Sequence, residues 1–169
     1  MQTPGDVIAI AKTQVGYHEG RTGAHWNNIN KYAPSLGFAN GQAWCDTFAN
    51  FLLWLAGVSV PPGAKSAGCA ASVAAYKKAG RWTEYPVTGA EVFYGAGGGE
   101  HCGIVTGWDD THVFTIEGNT NDSGSAEGDG VYAKTRVRRD AYVYGYGVPY
   151  YHAKGQSPDP KWRERDLSK

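Results

Sequence analysis

Apolar residues along this chain follow two rhythms. Over residues 4–16, Val7, Ile8, Ala11 and Val15 recur at three- and four-residue steps, the period of a helix with one buried stripe. Thr3 is placed to cap that helix, with Pro4 in its first turn. The same period governs residues 44–56, where Trp44, Phe48, Phe51, Leu52 and Leu55 recur and Gly57 ends the run. "CAASVAAYKKAG" reads as a further helix that stops at Gly80, with Lys77 and Lys78 in the last turn, where the helix dipole favours cations. Between the first two helices, "YHEGRTGAHWNNINKYAPSLGFANGQ" is rich in Gly and Asn. It is expected to be mostly loop, with a short helix around "HWNNINKYA". "VSVPPGAKSAG" reads as a connecting loop.

After Trp82 and Pro86 the rhythm changes. "EVFYG", "HCGIVTGW", "HVFTIEGN", "GVYAKTRVR" and "YVYGYGVPYY" are short, β-branched or aromatic, and bounded by Gly, Asp or Asn. Helices first and strands afterwards predict an α+β domain rather than alternating βαβ units. "AKGQSPDPKWRERDLSK" is polar and charged. The domain is therefore expected over residues 1–152, with 153–169 a linker or frayed end.

Composition narrows the picture. A chain of 169 residues suits one domain, and 41% hydrophobic residues with 6 Trp, 11 Tyr and 5 Phe are ample for a core. Sixteen acids balance sixteen bases, so no nucleic-acid footprint is expected. The N-terminal "MQTPGDVIAIAKTQVG" does not read as a secretory signal. No apolar run reaches the ~20 residues of a membrane span, so no membrane insertion is expected. A monomer is expected. Cys45, Cys69 and Cys102 form no C-x-x-C pair, and whether Cys69 and Cys102 join in a disulfide stays open.

Chemistry enters with Cys45, at the start of the second helix. Amides of a first helical turn lack intrahelical partners and carry partial positive charge, which favours a thiolate. Asp46 opposes it, so an imidazolium is needed nearby. Of five histidines, His101 heads an apolar strand directly after "GAGGGE". Glu117 and Asn119 lie two apart in the next strand and so share a face. A two-residue Asp109–Asp110 hairpin loop would pair His101 with Gly118, on the wrong face. A three-residue loop would pair it with Glu117 or Asn119. An odd-length loop, or a bulge near Gly103 or Gly107, is therefore predicted.

In this order, "AWCDTFANFLLW", "GEHCGIVTGW" and "TIEGNTND" resemble the CHAP family of cysteine, histidine-dependent amidohydrolases/peptidases. "SAGCAASVAAYKKAGRW" and "GVYAKTRVRRDAYVYGYGVPYY" extend the resemblance over most of residues 5–151. It implies a papain-like fold, with N-terminal helices packed on a C-terminal antiparallel sheet. It also implies Cys45 as nucleophile, His101 as base, Glu117 as the orienting acid and Asn119 as the further polar position. The chain has Gly89-Ala90 where such proteins usually have Gly-Asp, and His101-Cys102-Gly103 in place of His-Val-Gly. Strand alternation turns Cys102 away from His101, into the core. Some relatives bind calcium near the N-terminus, but no acidic loop here follows that pattern. "NDSGSAEGDG" lacks calcium-loop spacing and reads as a turn.

The implied activity is hydrolysis of an amide bond in bacterial peptidoglycan (stem peptide, cross-bridge or muramoyl-L-Ala) without metal or cofactor. Phage endolysins of this kind wait in the host cytoplasm and act on the wall; a secreted protein that has lost its signal would look the same. Cys45's own amide and Gln42 are the oxyanion candidates, and Trp82, Tyr94, Trp108 and Tyr146 the groove candidates. A noncatalytic wall- or glycan-binding module, and a cysteine acyltransferase or NlpC-type peptidase, are the competing readings.

Overall fold

A computed structural model of the chain describes residues 2–123, 128–153 and 155–164. Helices precede the main sheet, as the two rhythms predict. The order is α1 (Pro4–Gln14), a small hairpin of β1 (Arg21–Thr22) and β2 (His25–Trp26), α2 (Tyr32–Leu36), α3 (Cys45–Leu55) and α4 (Cys69–Lys78). The strands follow as β3 (Trp82–Thr83), β4 (Glu91–Tyr94), β5 (His101–Trp108), β6 (His112–Thr120), β7 (Gly130–Val137) and β8 (Val143–Gly147), with α5 (Pro160–Glu164) last. β3 to β8 form one antiparallel sheet in the order β3-β8-β4-β5-β6-β7. The architecture is mixed α+β. Among the described residues no helix is long and apolar enough to cross a membrane.

Local chemistry sets the helix ends. Thr3 and Asp6 close a reciprocal capping box at the start of α1. That helix ends two residues earlier than its stripe predicts, and Val15 is exposed rather than buried. The helix expected around "HWNNINKYA" is displaced. His25 and Trp26 pair with Thr22 and Arg21, and helix starts only where Asn30 Oδ1 accepts from the amides of Tyr32 and Ala33 at 3.0 and 2.9 Å. α4 ends as predicted, with Gly80 left-handed at φ 64° and the Arg81 amide closing back on the Tyr76 carbonyl.

α3 is the central rod. Phe48, Ala49, Leu52 and Leu53 are buried; Leu55, expected on the same stripe, is half exposed. The contact of α3 with β6 depends on Gly118. A Cβ there would lie 2.7 Å from Phe48 Cβ and 2.8 Å from Trp44 Cζ3. The missing side chain thus lets the first turns of α3 approach the sheet.

The β5–β6 hairpin sets the site's register. Asp109 and His112 close a two-residue loop, and Asp109 Oδ1 accepts from the amides of Thr111 and His112. Near the turn Trp108 pairs with Val113. A bulge between Val105 and Gly107 then shifts the ladder so that Ile104 faces Ile116. Continued to the strand head, this register sets Gly103 opposite Glu117 and His101 opposite Asn119. The loop is even, and the bulge beside Gly107 supplies the shift.

The C-terminal segment corrects the expectation of a frayed tail. Trp162 is 1% exposed and Ser157 is buried, so the segment completes the core instead of leaving it. The Gln156 carbonyl accepts from the Thr88 amide and from Trp108 Nε1, at 2.9 and 3.2 Å. Tail residues 154 and 165–169, and residues 124–127 of the acidic stretch read as a turn, lie outside the described residues.

Gly118→Ala is expected to destabilise the fold by about 1–3 kcal/mol, because α3 must retreat from β6. Chemical denaturation checks this, and an unchanged midpoint would contradict the close approach.

Candidate active site

Cys45 is the first residue of α3 and is 6% exposed. The residue before it is held firmly. Trp44 Nε1 donates to Glu19 Oε2 at 2.6 Å, and its ring stacks on Tyr32 at 5.5 Å. No side chain caps α3, in contrast to α1. Its first amides are therefore free of side-chain acceptors, and their partial positive charge lies beside the sulfur.

His101 heads β5, buried, with its ring stacked on Tyr94 at 5.7 Å. His101 Nε2 lies 2.9 Å from Glu117 Oε2. Nδ1 is buried with no hydrogen-bond partner, and is the ring nitrogen that Glu117 leaves free for Cys45. Glu117 is fully buried. Its Oε1 accepts from Tyr94 Oη at 2.8 Å, Thr115 Oγ1 at 2.7 Å and Arg136 Nε at 3.1 Å, and Arg136 Nη2 binds Oε2. Gly103 makes room for it, since a Cβ there would lie 2.5 Å from Glu117 Cγ.

These contacts decide the charges. Burial pushes the Glu117 carboxyl up, but the hydrogen bonds from His101 and Arg136 outweigh it and hold the group at about 2. Burial likewise disfavours the His101 cation, yet hydrogen bonding to Cys45 and Glu117 raises it to about 9. Cys45 is held well below the ordinary thiol range, first by hydrogen bonds from Cys102 and Cys69, then, against burial, by His101. Both directions favour a thiolate and an imidazolium over a neutral pair.

The three cysteines converge, and none forms a disulfide. Cys45 and Cys69 Sγ lie 3.6 Å apart, with Cys69 at the start of α4. Cys102 is fully buried with its sulfur 3.9 Å from Asp46 Oδ1, in the core as alternation predicts. Asp46, the sequence neighbour set against the thiolate, turns one oxygen to Cys102 and the other to two serines. Its Oδ2 accepts from Ser66 Oγ at 2.8 Å and Ser72 Oγ at 3.0 Å. Burial lifts Asp46 to about 6, and burial and then the Asp46 charge lift neighbouring Glu91 well above the carboxylate range.

Cys45, His101 and Glu117 are thus brought together. Asn119 is buried and left-handed at φ 54°, and neither amide atom has a partner; its backbone breaks the strand alternation that would have aligned it with Glu117. Gln42 is exposed and turns its amide to the Ala39 carbonyl at 3.3 Å, leaving the Cys45 amide as the remaining oxyanion candidate.

The four groove candidates do not share a groove. Tyr94 is wholly buried behind Glu117, and Tyr146 is 1% exposed. Trp108 is seven residues down β5 from His101, about 23 Å away, against the C-terminal segment. Trp82 packs on Phe93 and Tyr144 at the β3 edge. Sequence reasoning missed Arg136 and the meeting of the cysteines. Arg136 pairs with Val113, on the side of β6 that also carries Thr115 and Glu117, so face counting across β7 could have found it. The cysteine cluster leaves no such signal.

Compared with models of protein families, with curated proteins and with solved structures, the chain matches none.

Iodoacetamide is expected to alkylate Cys45 at neutral pH as fast as at higher pH, because its thiolate is already formed there. An ordinary thiol gains reactivity up to ~8.5. Cys69 and Cys102, raised by the neighbouring thiolate and burial, are expected to stay unlabelled in peptide mass spectra. Glu117→Gln should move the inflection of the Cys45 profile upward.

Proposed function

We propose that this protein is a thiol hydrolase of papain-like arrangement that cleaves an amide bond of bacterial peptidoglycan through an acyl-enzyme on Cys45. The observation that carries the reading is the charged chain from the α3 terminus through His101 to Glu117 and Arg136. Sequence resemblance to the CHAP family supports the choice of substrate.

The Cys45 thiolate attacks the carbonyl carbon, and the oxygen takes the negative charge beside the Cys45 amide. His101 then gives its Nδ1 proton to the departing nitrogen as the C–N bond breaks, leaving a thioester. Water attacks the thioester while His101 takes up its proton, and the acid product leaves with the thiolate restored. Glu117 keeps Nε2 protonated throughout, fixing the tautomer that aims Nδ1 at the sulfur. Arg136 keeps Glu117 charged when His101 is neutral in mid-cycle. The protein acts as a monomer on the wall, and an endolysin's delay in the host cytoplasm fits this chemistry.

Purified peptidoglycan digested with the protein should yield new amine and carboxyl ends in equal number, read by mass spectrometry, and those ends name the bond. Cys45→Ala and His101→Ala are expected to lower the rate by about 10³-fold or more, and Glu117→Gln by about 10²-fold. The kcat/KM profile should fall on the alkaline side near the His101 value of about 9, where the leaving group loses its acid. Full activity in Cys45→Ala, or products formed only with an added amine acceptor, would refute hydrolysis.

A further inference from the structure

The mechanism needs one cysteine, yet three are buried together. The sulfurs of Cys45, Cys69 and Cys102 all lie within 4.8 Å of one another, with Cys45 and Cys69 at 3.6 Å. Around a tetrahedral zinc with Zn–S bonds near 2.3 Å, thiolate sulfurs stand about 3.8 Å apart. The trio needs only small adjustments to meet that geometry. We propose that Cys45, Cys69 and Cys102 form a three-thiolate site for a thiophilic divalent cation of the zinc and cadmium class, and that its occupancy masks the nucleophile.

Several features of the surroundings favour this. Cys45 and Cys69 each begin a helix of ten or more residues, so two positive helix ends face a site that carries three negative sulfurs. The Cys102 thiol donates to Asp46 Oδ1 at 3.9 Å, which places that sulfur beside the other two before any ion binds. Access lies on the α4 side. Cys45 and Cys69 are 6% and 5% exposed, and a Cβ on Gly68, beside Cys69, would meet nothing within 4 Å.

Donor chemistry selects the ion. Three sulfurs suit zinc and cadmium, whereas magnesium and calcium require oxygen ligands. A second triplet, Asp46, Glu91 and Cys102, is as compact, but Ser66 and Ser72 already occupy the Asp46 carboxylate. Binding forms metal–sulfur bonds and sends the displaced protons to solvent; no electron changes hands. Binding rests on the thiols alone, and only the loss of activity rests on the hydrolase reading.

Cadmium added to the reduced full chain is expected to bind at one ion per chain and to raise a thiolate-to-metal absorption band in the ultraviolet. Cys69→Ser, Cys102→Ala and Cys45→Ser should each weaken binding by about tenfold or more, with circular dichroism checking that each variant is folded. Excess magnesium should not compete, and EDTA should return all three thiols to titration. Unchanged affinity in folded Cys69→Ser and Cys102→Ala, or loss of thiols that EDTA does not restore, would overturn the site. In the activity arm, cadmium should block wall lysis by the wild type. Relative to its own uninhibited rate, Cys69→Ser should need about tenfold more cadmium for the same block. Cadmium bound as described by a chain that never lyses walls would refute the hydrolase reading and leave the site standing.

Discussion

A carboxylate with no exposed surface stays charged only if donors and cations enclose it, and the site depends on meeting that condition at Glu117. His101, Tyr94, Thr115 and the Arg136 fork together occupy its two oxygens. Charge then alternates in sign from Cys45 through His101 and Glu117 to Arg136, so each member favours the charged form of its neighbour. The pH window follows from the directions. Glu117 is depressed to about 2, so its contribution to stability is present above the ordinary carboxylate range and lost as pH falls through about 2. His101 is raised to about 9, so its contribution is present below the ordinary histidine range and lost as pH climbs through about 9. Both are intact near neutrality.

Backbone irregularity makes this enclosure reachable. With an unbulged ladder from the Asp109–His112 turn, His101 would pair beyond Asn119 and the facing residues would fall on opposite sides of the sheet. One extra residue between Val105 and Gly107 restores the match. A second irregularity, between Glu117 and Thr120 against β7, coincides with the left-handed Asn119 and ends regular pairing where the site begins. Two glycines then admit what the strands cannot: Gly103 the Glu117 side chain, and Gly118 the first turns of α3.

How much of this the sequence discloses depends on the range of the interaction. Helix periods, the Thr3 cap, the Gly80 stop and the strand alternation are local, and they are legible. So is the demand for a register shift, because the polar residues of two adjacent strands must meet. Boundaries slip where a side chain competes with the backbone, as when Asn30 starts α2 five residues after His25 has entered a hairpin. The burial of Trp162 is illegible because a polar, charged stretch gives no periodic sign of one aromatic anchor, which finds Arg81 at the end of the core. Tyr94 misleads for a related reason. An aromatic residue near a strand end suits a groove wall and a buried donor equally, and only the position of Glu117 decides between them. Arg136 needs pairing across a third strand, and the cysteine cluster needs two helix starts and a strand head brought together, which no local pattern encodes.

The same cluster explains how a thiolate tolerates Asp46 as its neighbour. Successive helix residues point about 100° apart, so the carboxylate turns to Ser66 and Ser72 while the sulfur stays at the helix end. The sulfur then needs a donor on its buried side, where water cannot reach, and Cys69 lies 3.6 Å away to supply it, with Cys102 close behind and donating to Asp46 Oδ1. A hydroxyl would stabilise the anion by a stronger hydrogen bond; a thiol does so weakly but adds a soft ligand. Sulfur at both positions therefore couples two properties that a Ser at either would separate: a neighbourhood that favours the Cys45 anion, and the chelate proposed for a thiophilic ion.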